Sequence, residues 1–228
     1  MKKTKNYLYN FLIIASYFFY SFLGIIPVFF LNYDVYNLTN KESLVIDMFA
    51  SILYLLIILF IYRKTLKKDF VNFNKNKKEY IEFGFKFWLY GIFVMVISNL
   101  LISNIIPSGS ANEQLVQQAI DLNPIYMIFT TVIFAPLVEE LLFRKAFKDL
   151  FPTNVIYIIM SALAFGFLHV ITNIESITEM LFIIPYGALG ASFAYMYVKK
   201  KNIIIPIFFH MIHNAILITF SIIINILV

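Results

Sequence analysis

Two adjacent glutamates, Glu139 and Glu140, lie inside an apolar run of the sequence, and Arg144 follows one helical turn later. A charged side chain at the centre of a membrane-spanning helix costs about 2.5–3.5 kcal/mol on insertion scales, so such residues are candidates for function. Glu140 and Arg144 are four residues apart and share a helix face, which predicts an ion pair. Glu139 lies about 100° around the helix and has no such partner. We therefore expect Glu139 to act as a general base or acid.

The histidines of the chain fall in two later apolar segments, FGFLH (165–169) and HMIHN (210–214). Phe165 and His169 are one helical turn apart, as are His210 and Asn214, and His213 is an ambiguous third histidine. Each motif alone is typical of hydrogen-bonded contacts between membrane helices. Together they indicate hydrolysis, because a glutamate and a histidine from different helices can activate one water. His210 and Asn214 could then donate hydrogen bonds to the oxyanion.

A zinc site is the alternative interpretation of the same residues. Glu139, His169 and His210 would supply a carboxylate and two imidazoles and leave one position for water. Spacing alone does not separate this mechanism from a metal-free one, so both stay open. The absence of cysteine excludes disulfides, thiol catalysis and cysteine-ligated metals. The chain also lacks the HExxH, GxSxG and P-loop motifs of commoner hydrolases and nucleotidases.

The composition indicates the elements that must position these residues. The chain has 228 residues, of which 61% are apolar, and its apolar stretches are long enough to cross a hydrocarbon core of about 30 Å. We predict an all-α, polytopic membrane helical bundle that forms a single domain, 1–228. Pro136 predicts a kink or a local opening beside the glutamates. The predicted spans are about 7–31, 46–63, 83–106, 124–148, 154–171, 177–198 and 203–227, and the loop 107–123 is expected to hold a short interfacial helix.

Charge patterning predicts the orientation in the membrane. The basic residues cluster at the start of the chain, in the loop 64–82, and at the ends of the fourth and sixth spans. The opposite loops carry Lys41 and a set of acidic residues: Asp34, Glu42, Asp47, Glu113, Asp121, Glu175 and Glu179. By the positive-inside rule, this pattern predicts a cytoplasmic N-terminus and seven spans of a cell-membrane protein. The net charge of +5 is therefore assigned to orientation and to contact with the lipid bilayer, and no nucleic-acid partner is expected.

The three motifs together resemble those of the CAAX-protease and bacteriocin-processing family of intramembrane proteases. That family shows EExxxR, FxxxH and HxxxN on successive membrane helices, and here these are Glu139–Arg144, Phe165–His169 and His210–Asn214. The resemblance covers about residues 124–225, the expected catalytic core, whereas the three spans within 1–123 carry no family signal.

The resemblance implies that Glu139 and His169 activate water and that His210 and Asn214 stabilise the oxyanion. It also implies that Glu140 and Arg144 shape the site, with Phe165 beside His169. The metal remains open in such a family, either zinc or a metal-free glutamate mechanism. The implied activity is an endopeptidase for a membrane-associated or amphipathic peptide, in bacteriocin self-immunity or in secreted-peptide processing. The expected site opens toward the basic end.

Two other functions remain as alternatives. One is a non-catalytic membrane scaffold or immunity protein that binds a peptide toxin or a signalling partner, with the polar residues joining helices. The other is a small transporter with Glu139 as a proton carrier, although the chain lacks the repeats and paired broken helices of transporters. Straight helices also place His169 about 8 Å deeper than Glu139, counted from the turn between their spans.

Overall fold

The computed structural model describes residues 2–171, 174 and 176–227, and within these ranges the chain is helical without a β-strand. The predicted all-α class is confirmed. Two 3-10 segments, Tyr17–Gly24 and Ile177–Phe182, continue α-helices without a break. The α-helices are α1 (Lys2–Ser16), α2 (Ile25–Leu31), α3 (Asn40–Lys75), α4 (Lys77–Ile102), α5 (Ala111–Leu122), α6 (Pro124–Ile128), α7 (Ala135–Glu140), α8 (Asn154–Ile171), α9 (Ile183–Lys200) and α10 (Ile204–Leu227).

Seven segments of the described chain are long and apolar enough to cross a membrane, as predicted. Large apolar side chains on their outer faces are exposed, among them Phe29 at 76% and Phe30 at 75%, which suits contact with lipid. The chain is a multi-pass membrane protein. The segments are Tyr7–Leu31, Asn40–Lys75, Lys77–Ile102, Pro124–Ala146, Asn154–Ile171, Ile177–Lys200 and Ile204–Ile224.

The second span is longer than hydropathy predicts. α3 begins at a capping box, in which the Thr39 N–H donates to the Glu42 carboxylate at 2.8 Å and the Glu42 N–H donates to Thr39 Oγ1 at 3.3 Å. It continues to Lys75, beyond the predicted end at residue 63. The extension is too polar to be predicted as part of a membrane span, but its lysines and its leucine favour a helix. A helix of 36 residues is about 54 Å long, so α3 projects well beyond the hydrocarbon core.

The fourth span is not a continuous α-helix. Two π-helical segments, Phe129–Phe134 and Leu141–Ala146, flank the short helix α7. Pro136 lies in the first turn of α7 and cannot donate a backbone hydrogen bond. π-Helical turns inside α-helices are rare and occur often at functional sites. The predicted opening beside the glutamates is present, and it takes this π-helical form.

Helices α8 and α9 pack very closely. A Cβ atom added to Gly166 would lie 2.5 Å from the carbonyl oxygen of Ile183, so no larger residue fits there without moving a backbone. α10 begins beside the extension of α3, where the Asp69 carboxylate accepts the Ile203 N–H at 3.0 Å. The Asn202 side chain donates to the Asp69 carbonyl at 2.8 Å. These contacts set the positions of α8 and α10, which carry the histidines.

The bundle has a basic end and an acidic end. Lys200, at the end of α9, pairs with Glu79 at the start of α4 at 2.5 Å, which places these turns at the same end. The predicted short helix in the loop 107–123 is α5, at the opposite end, and Ser110 caps it. Of the acidic residues predicted for that end, Glu175 lies outside the described residues.

Candidate active site

Glu140 and Arg144 form the ion pair that their spacing predicts. Arg144 Nε lies 2.9 Å from Glu140 Oε2, and Arg144 Nη2 donates to Glu140 Oε1 at 3.3 Å. Both side chains are fully buried, with 0% exposure. Arg144 Nη1 also donates to Ser161 Oγ at 2.7 Å, and the guanidinium carbon lies 5.0 Å from the centre of the Phe165 ring. The pair thus combines one hydrogen bond with a close Nε–Oε2 ion contact, and it holds the Glu140 carboxylate in one orientation.

His210 completes this network from α10. Its Nδ1 lies 3.1 Å from Glu140 Oε1, and its ring stacks on Phe193 with centroids 5.1 Å apart. Because an ionised carboxylate only accepts hydrogen bonds, Nδ1 must carry the proton. Nε2 is therefore the nitrogen left for a substrate, and it can donate to an oxyanion only when the ring is an imidazolium.

Glu139 has a different environment from its neighbour. Its side chain is 3% exposed, and Oε1 accepts a hydrogen bond from the Tyr17 hydroxyl at 3.3 Å. Oε2 has no hydrogen-bond partner among the described residues, and it lies 4.0 Å from His169 Nε2. A single water can hydrogen-bond to both atoms at about 2.8 Å each. The structure thus brings together the two side chains that the sequence selects for water activation.

Two features remove the predicted depth difference between these residues. Ser161 Oγ donates to the Phe143 carbonyl at 3.1 Å, which fixes the register of α8 against the fourth span. Counted from that level toward the acidic end, His169 lies about 12 Å along α8 and Glu139 about 6 Å along the fourth span. Their side chains must therefore bridge the remaining difference in depth of about 6 Å. Side chains tilt toward the N-terminus of their helix, and these two helices are antiparallel. The Glu139 and His169 side chains therefore lean toward each other.

Aromatic rings hold His169 in place. Its imidazole lies edge-on to Phe165 with centroids 4.7 Å apart, as the spacing of the FxxxH motif predicts. On another side it stacks on Tyr186 of α9, at 4.8 Å and an interplanar angle of 20°. Phe165 also contacts His210, with centroids 5.6 Å apart, and so packs against both imidazoles.

Asn214 has a structural contact that the sequence did not predict. Its Nδ2 donates to the backbone carbonyl of Thr131 at 2.8 Å, within the first π-helical segment. The irregular turn is thus tied to α10, while a second N–H of the same amide can still serve a substrate. His213, the ambiguous histidine, is buried and packs edge-on against Trp88 with centroids 6.4 Å apart.

Tyr17 and Tyr186 are the site residues that the sequence did not reveal. Tyr17 lies in the first span, 122 positions before Glu139, and carries no motif. The chain contains 15 tyrosines, so residue type alone selects neither of the two. Only the packing of the first span and of α9 against the helices that carry Glu139 and His169 identifies them.

A cavity of about 670 Å³ connects these residues. Glu139, His169, His210 and Asn214 all line it, together with residues of α5 and the last turns of α10. The predicted opening toward the basic end is wrong, because the lining extends toward the acidic end. On the basic side of Glu139 the space is filled by fully buried side chains, including Leu141, Leu142 and Arg144.

The predicted zinc ligands do not form a metal site in this arrangement. Among the described residues, no three histidine, aspartate or glutamate side chains are placed to hold one ion. His210 directs Nδ1 at Glu140, and the Phe165 ring packs against both imidazoles. Glu139 and His169 adjoin each other without a third ligand.

Comparison with known proteins finds similarity to peptidases, and a family model matches within the second half of the chain. Residues 121–216 match the family model for type II CAAX prenyl endopeptidase Rce1-like proteins. YdiL of Bacillus subtilis (strain 168), which is named as a membrane peptidase, is 26% identical over 190 residues, covering 78% of this chain and 72% of YdiL.

A second relative is the membrane-embedded CAAX protease MroQ of Staphylococcus aureus (strain USA300). It is 33% identical over 107 residues, which are 43% of this chain and 40% of MroQ. No solved structure matches the chain. The resemblance that the three motifs predict is therefore confirmed, and residues 121–216 of this multi-pass membrane protein are similar to the Rce1-like CAAX proteases.

Proposed function

We propose that the protein is an intramembrane endopeptidase that hydrolyses a peptide bond with a water activated by Glu139 and His169. The observation that carries this proposal is the contrast between the two adjacent glutamates. Glu140 lies 2.9 Å from Arg144 Nε and 3.1 Å from His210 Nδ1, whereas Glu139 has no cationic side chain this close among the described residues and directs one oxygen toward His169, 4.0 Å away, in the cavity. The family match over residues 121–216 and the name of the relative MroQ support the same activity.

The proposed reaction uses these groups in sequence. Glu139 accepts a proton from the water, and the water oxygen forms a bond to the scissile carbonyl carbon. His169 Nε2 accepts a hydrogen bond from the second water proton and so orients the nucleophile. The Nε2–H of protonated His210 and the free N–H of Asn214 donate to the oxyanion. The C–N bond then breaks, and Glu139 returns its proton to the leaving amine.

The cavity supports a proposal about the substrate. Its lining extends toward the acidic end, which the distribution of lysines assigns to the outside of the cell. We propose that the N-terminus is cytoplasmic and that the substrate is an amphipathic or membrane-associated peptide that enters from the outer side. Secreted-peptide processing or bacteriocin self-immunity are the roles that this entry side suits, and they rest on family analogy.

The test compares new peptide N-termini in membranes from cells that express the wild type or Glu139→Gln at matched levels. The variant keeps the size of the side chain and removes the base, so catalysis should fall by at least about 100-fold. Glu82→Gln is the matched control, because Glu82 is exposed and far from the cavity. Termini present with the wild type and Glu82→Gln but absent with Glu139→Gln establish the protease and its substrate.

Two outcomes would change the proposal. Equal profiles for the wild type and Glu139→Gln would favour the non-catalytic scaffold. Loss of the new termini with a divalent-ion chelator, and their return with added zinc, would replace the metal-free step with metal-assisted hydrolysis.

A further inference from the structure

Helix α5 covers the acidic end of the cavity and is joined to the catalytic histidine by one side chain. We propose that α5 is a lid and that Tyr186 is a positioning residue that couples the closed lid to the imidazole of His169. This inference rests on the proposed function, because it assigns a condition under which the Glu139–His169 pair is assembled.

Tyr186 contacts the lid and the catalytic residue at the same time. Its ring stacks on His169 with centroids 4.8 Å apart and an angle of 20° between the planes. Its hydroxyl lies 3.0 Å from Ser110 Oγ and accepts a hydrogen bond from Asn112 Nδ2 at 3.2 Å. Ser110 is the N-cap of α5 and Asn112 lies in its first turn. The orientation of the tyrosine ring therefore depends on where the N-terminus of α5 lies.

The sequence of α5 suits an element that can open as a unit. Asn112, Glu113 and Val116 line the cavity, whereas Leu115, which does not line it, is 44% exposed. α5 connects the third and fourth spans and is not itself one of the candidate membrane spans. It can therefore move without breaking a membrane helix. The preceding turn contains Gly109 at φ +76°, a conformation that glycine adopts without strain.

The attachment of α5 is uneven along its length. Its C-terminal part is held by apolar packing, because Ile120 is buried against Met127 and Ile218. Its N-terminal turn is held at Tyr186 by the two hydrogen bonds of Ser110 and Asn112. Hydrogen bonds of this kind contribute only about 0.5–1.5 kcal/mol each. The end nearest the catalytic histidine is thus the end that opens at the smaller cost.

Coupling of this kind links chemistry to closure. With the lid docked, Tyr186 is held by α5 and its ring supports the imidazole plane that brings Nε2 to 4.0 Å from Glu139. With the lid open, the hydroxyl loses both partners and the ring becomes free to turn. The water-activating pair would then be aligned only while the cavity is shielded from bulk water, as in other enzymes with lids.

The first test separates the roles of the ring and the hydroxyl. Tyr186→Phe keeps the stacking surface and removes the contacts to α5. We expect kcat to fall about 5–10-fold with KM changed less than twofold, as for loss of one or two hydrogen bonds. Asn112→Ala should lower kcat in the same direction, and the double variant should be no worse than the poorer single variant.

The second test measures the lid without any catalysis. The chain has no cysteine, so a single introduced thiol reports on one position. In the Glu139→Gln background, Ala135→Cys places a thiol on the cavity wall, and Gln118→Cys places one on the exposed side of α5. We expect Tyr186→Phe to increase the rate at which a maleimide modifies the Ala135→Cys thiol at least threefold. The rate at Gln118→Cys should stay unchanged.

These outcomes separate the lid from the protease. Unchanged labelling of Ala135→Cys, or additive effects on kcat in the double variant, would overturn the coupling. This holds even if the wild type is a fully active peptidase. Faster labelling of Ala135→Cys, together with a wild type that shows no peptidase activity, would leave the lid in place and overturn the proposed function instead.

Discussion

At the scale of single residues, the site depends on the different surroundings of two identical side chains. Glu139 and Glu140 are neighbours, yet a rotation of about 100° around the helix directs them into different environments. Glu140 contacts a guanidinium and an imidazole at ion-pair distance. Glu139 meets one tyrosine hydroxyl and the cavity. The surroundings of Glu140 suit a structural ion pair, and those of Glu139 suit a general base.

Tyr17→Phe tests whether the first span contributes to catalysis. The hydroxyl donates to Glu139 Oε1 and leaves Oε2 directed at His169, so its loss should free the carboxylate to rotate. We expect kcat to fall about 5–10-fold with little change in KM. Steady-state kinetics on the identified substrate measure both. Tyr20→Phe is the control, since Tyr20 lines the same cavity and stacks on Tyr54, and its activity should match the wild type.

Arg144→Met tests the buried ion pair through stability. It leaves the Glu140 carboxylate in the core without its strongest partner, and such losses destabilise a protein by about 3–5 kcal/mol. The midpoint of thermal unfolding in detergent should therefore fall clearly. Adding Glu140→Gln should restore part of the loss, because the uncompensated charge is then gone. Arg63→Met, at an exposed arginine, should leave the midpoint within error; an equal drop there would contradict the explanation.

At the scale of elements, the fourth span shows how a helix can present two carboxylates differently. The π-helical segments before and after α7 change the rotation of the chain on each side of the glutamates. Within the first of these segments, the Thr131 carbonyl accepts a hydrogen bond from the Asn214 side chain. Pro136 indicated an irregular helix, but the proline alone does not determine whether the irregularity becomes a kink or a wider turn.

Gly166→Ala tests the close approach of α8 and α9. The added methyl group would lie 2.5 Å from the Ile183 carbonyl oxygen, so the helices must separate. We expect a destabilisation of about 1–3 kcal/mol, typical of overpacking, and a loss of activity as His169 moves with α8. Gly187→Ala is the graded comparison, with its nearest contact at 3.2 Å to Ala162, and should be milder. Thermal unfolding of both variants checks the order, and the reverse order would refute the packing argument.

At the scale of the whole molecule, the two ends of the bundle differ in charge and in access. Lysines concentrate at the basic end, where the core below Glu139 is closed. The cavity extends toward the acidic end and is covered by α5. Under the proposed function, entry and orientation are therefore linked: we expect a substrate to arrive from the side of the membrane that α5 faces.

The orientation is tested by labelling intact cells with a membrane-impermeant maleimide. The positive-inside rule places the end of α3 in the cytoplasm and α5 outside. In the cysteine-free chain, Gln118→Cys on α5 should therefore be labelled in intact cells, and Asn74→Cys at the end of α3 only after the cells are broken. The opposite pattern would invert the protein and place substrate entry on the cytoplasmic side.

The sequence by itself determined the fold class of the protein and predicted the residues of its candidate site. Hydropathy and charge act residue by residue on transfer into a bilayer, so seven spans and the all-α class were predictable. Helical spacing within one segment predicted the Glu140–Arg144 pair and the Phe165–His169 contact, because both lie one turn apart. The three motifs also predicted the family resemblance. The division into a catalytic core, 124–225, and three spans within 1–123 stays a prediction.

Only the tertiary structure decided what depends on packing between distant segments. Tyr17 reaches Glu139 across 122 positions, and Tyr186 joins His169 to α5, and neither contact has a local signal. The direction of the cavity was predicted wrongly, because charge patterning reports the side of the membrane and not where side chains fill the interior. Glu139 and His169 meet because antiparallel helices incline their side chains toward each other, a relation that exists only once both helices are packed.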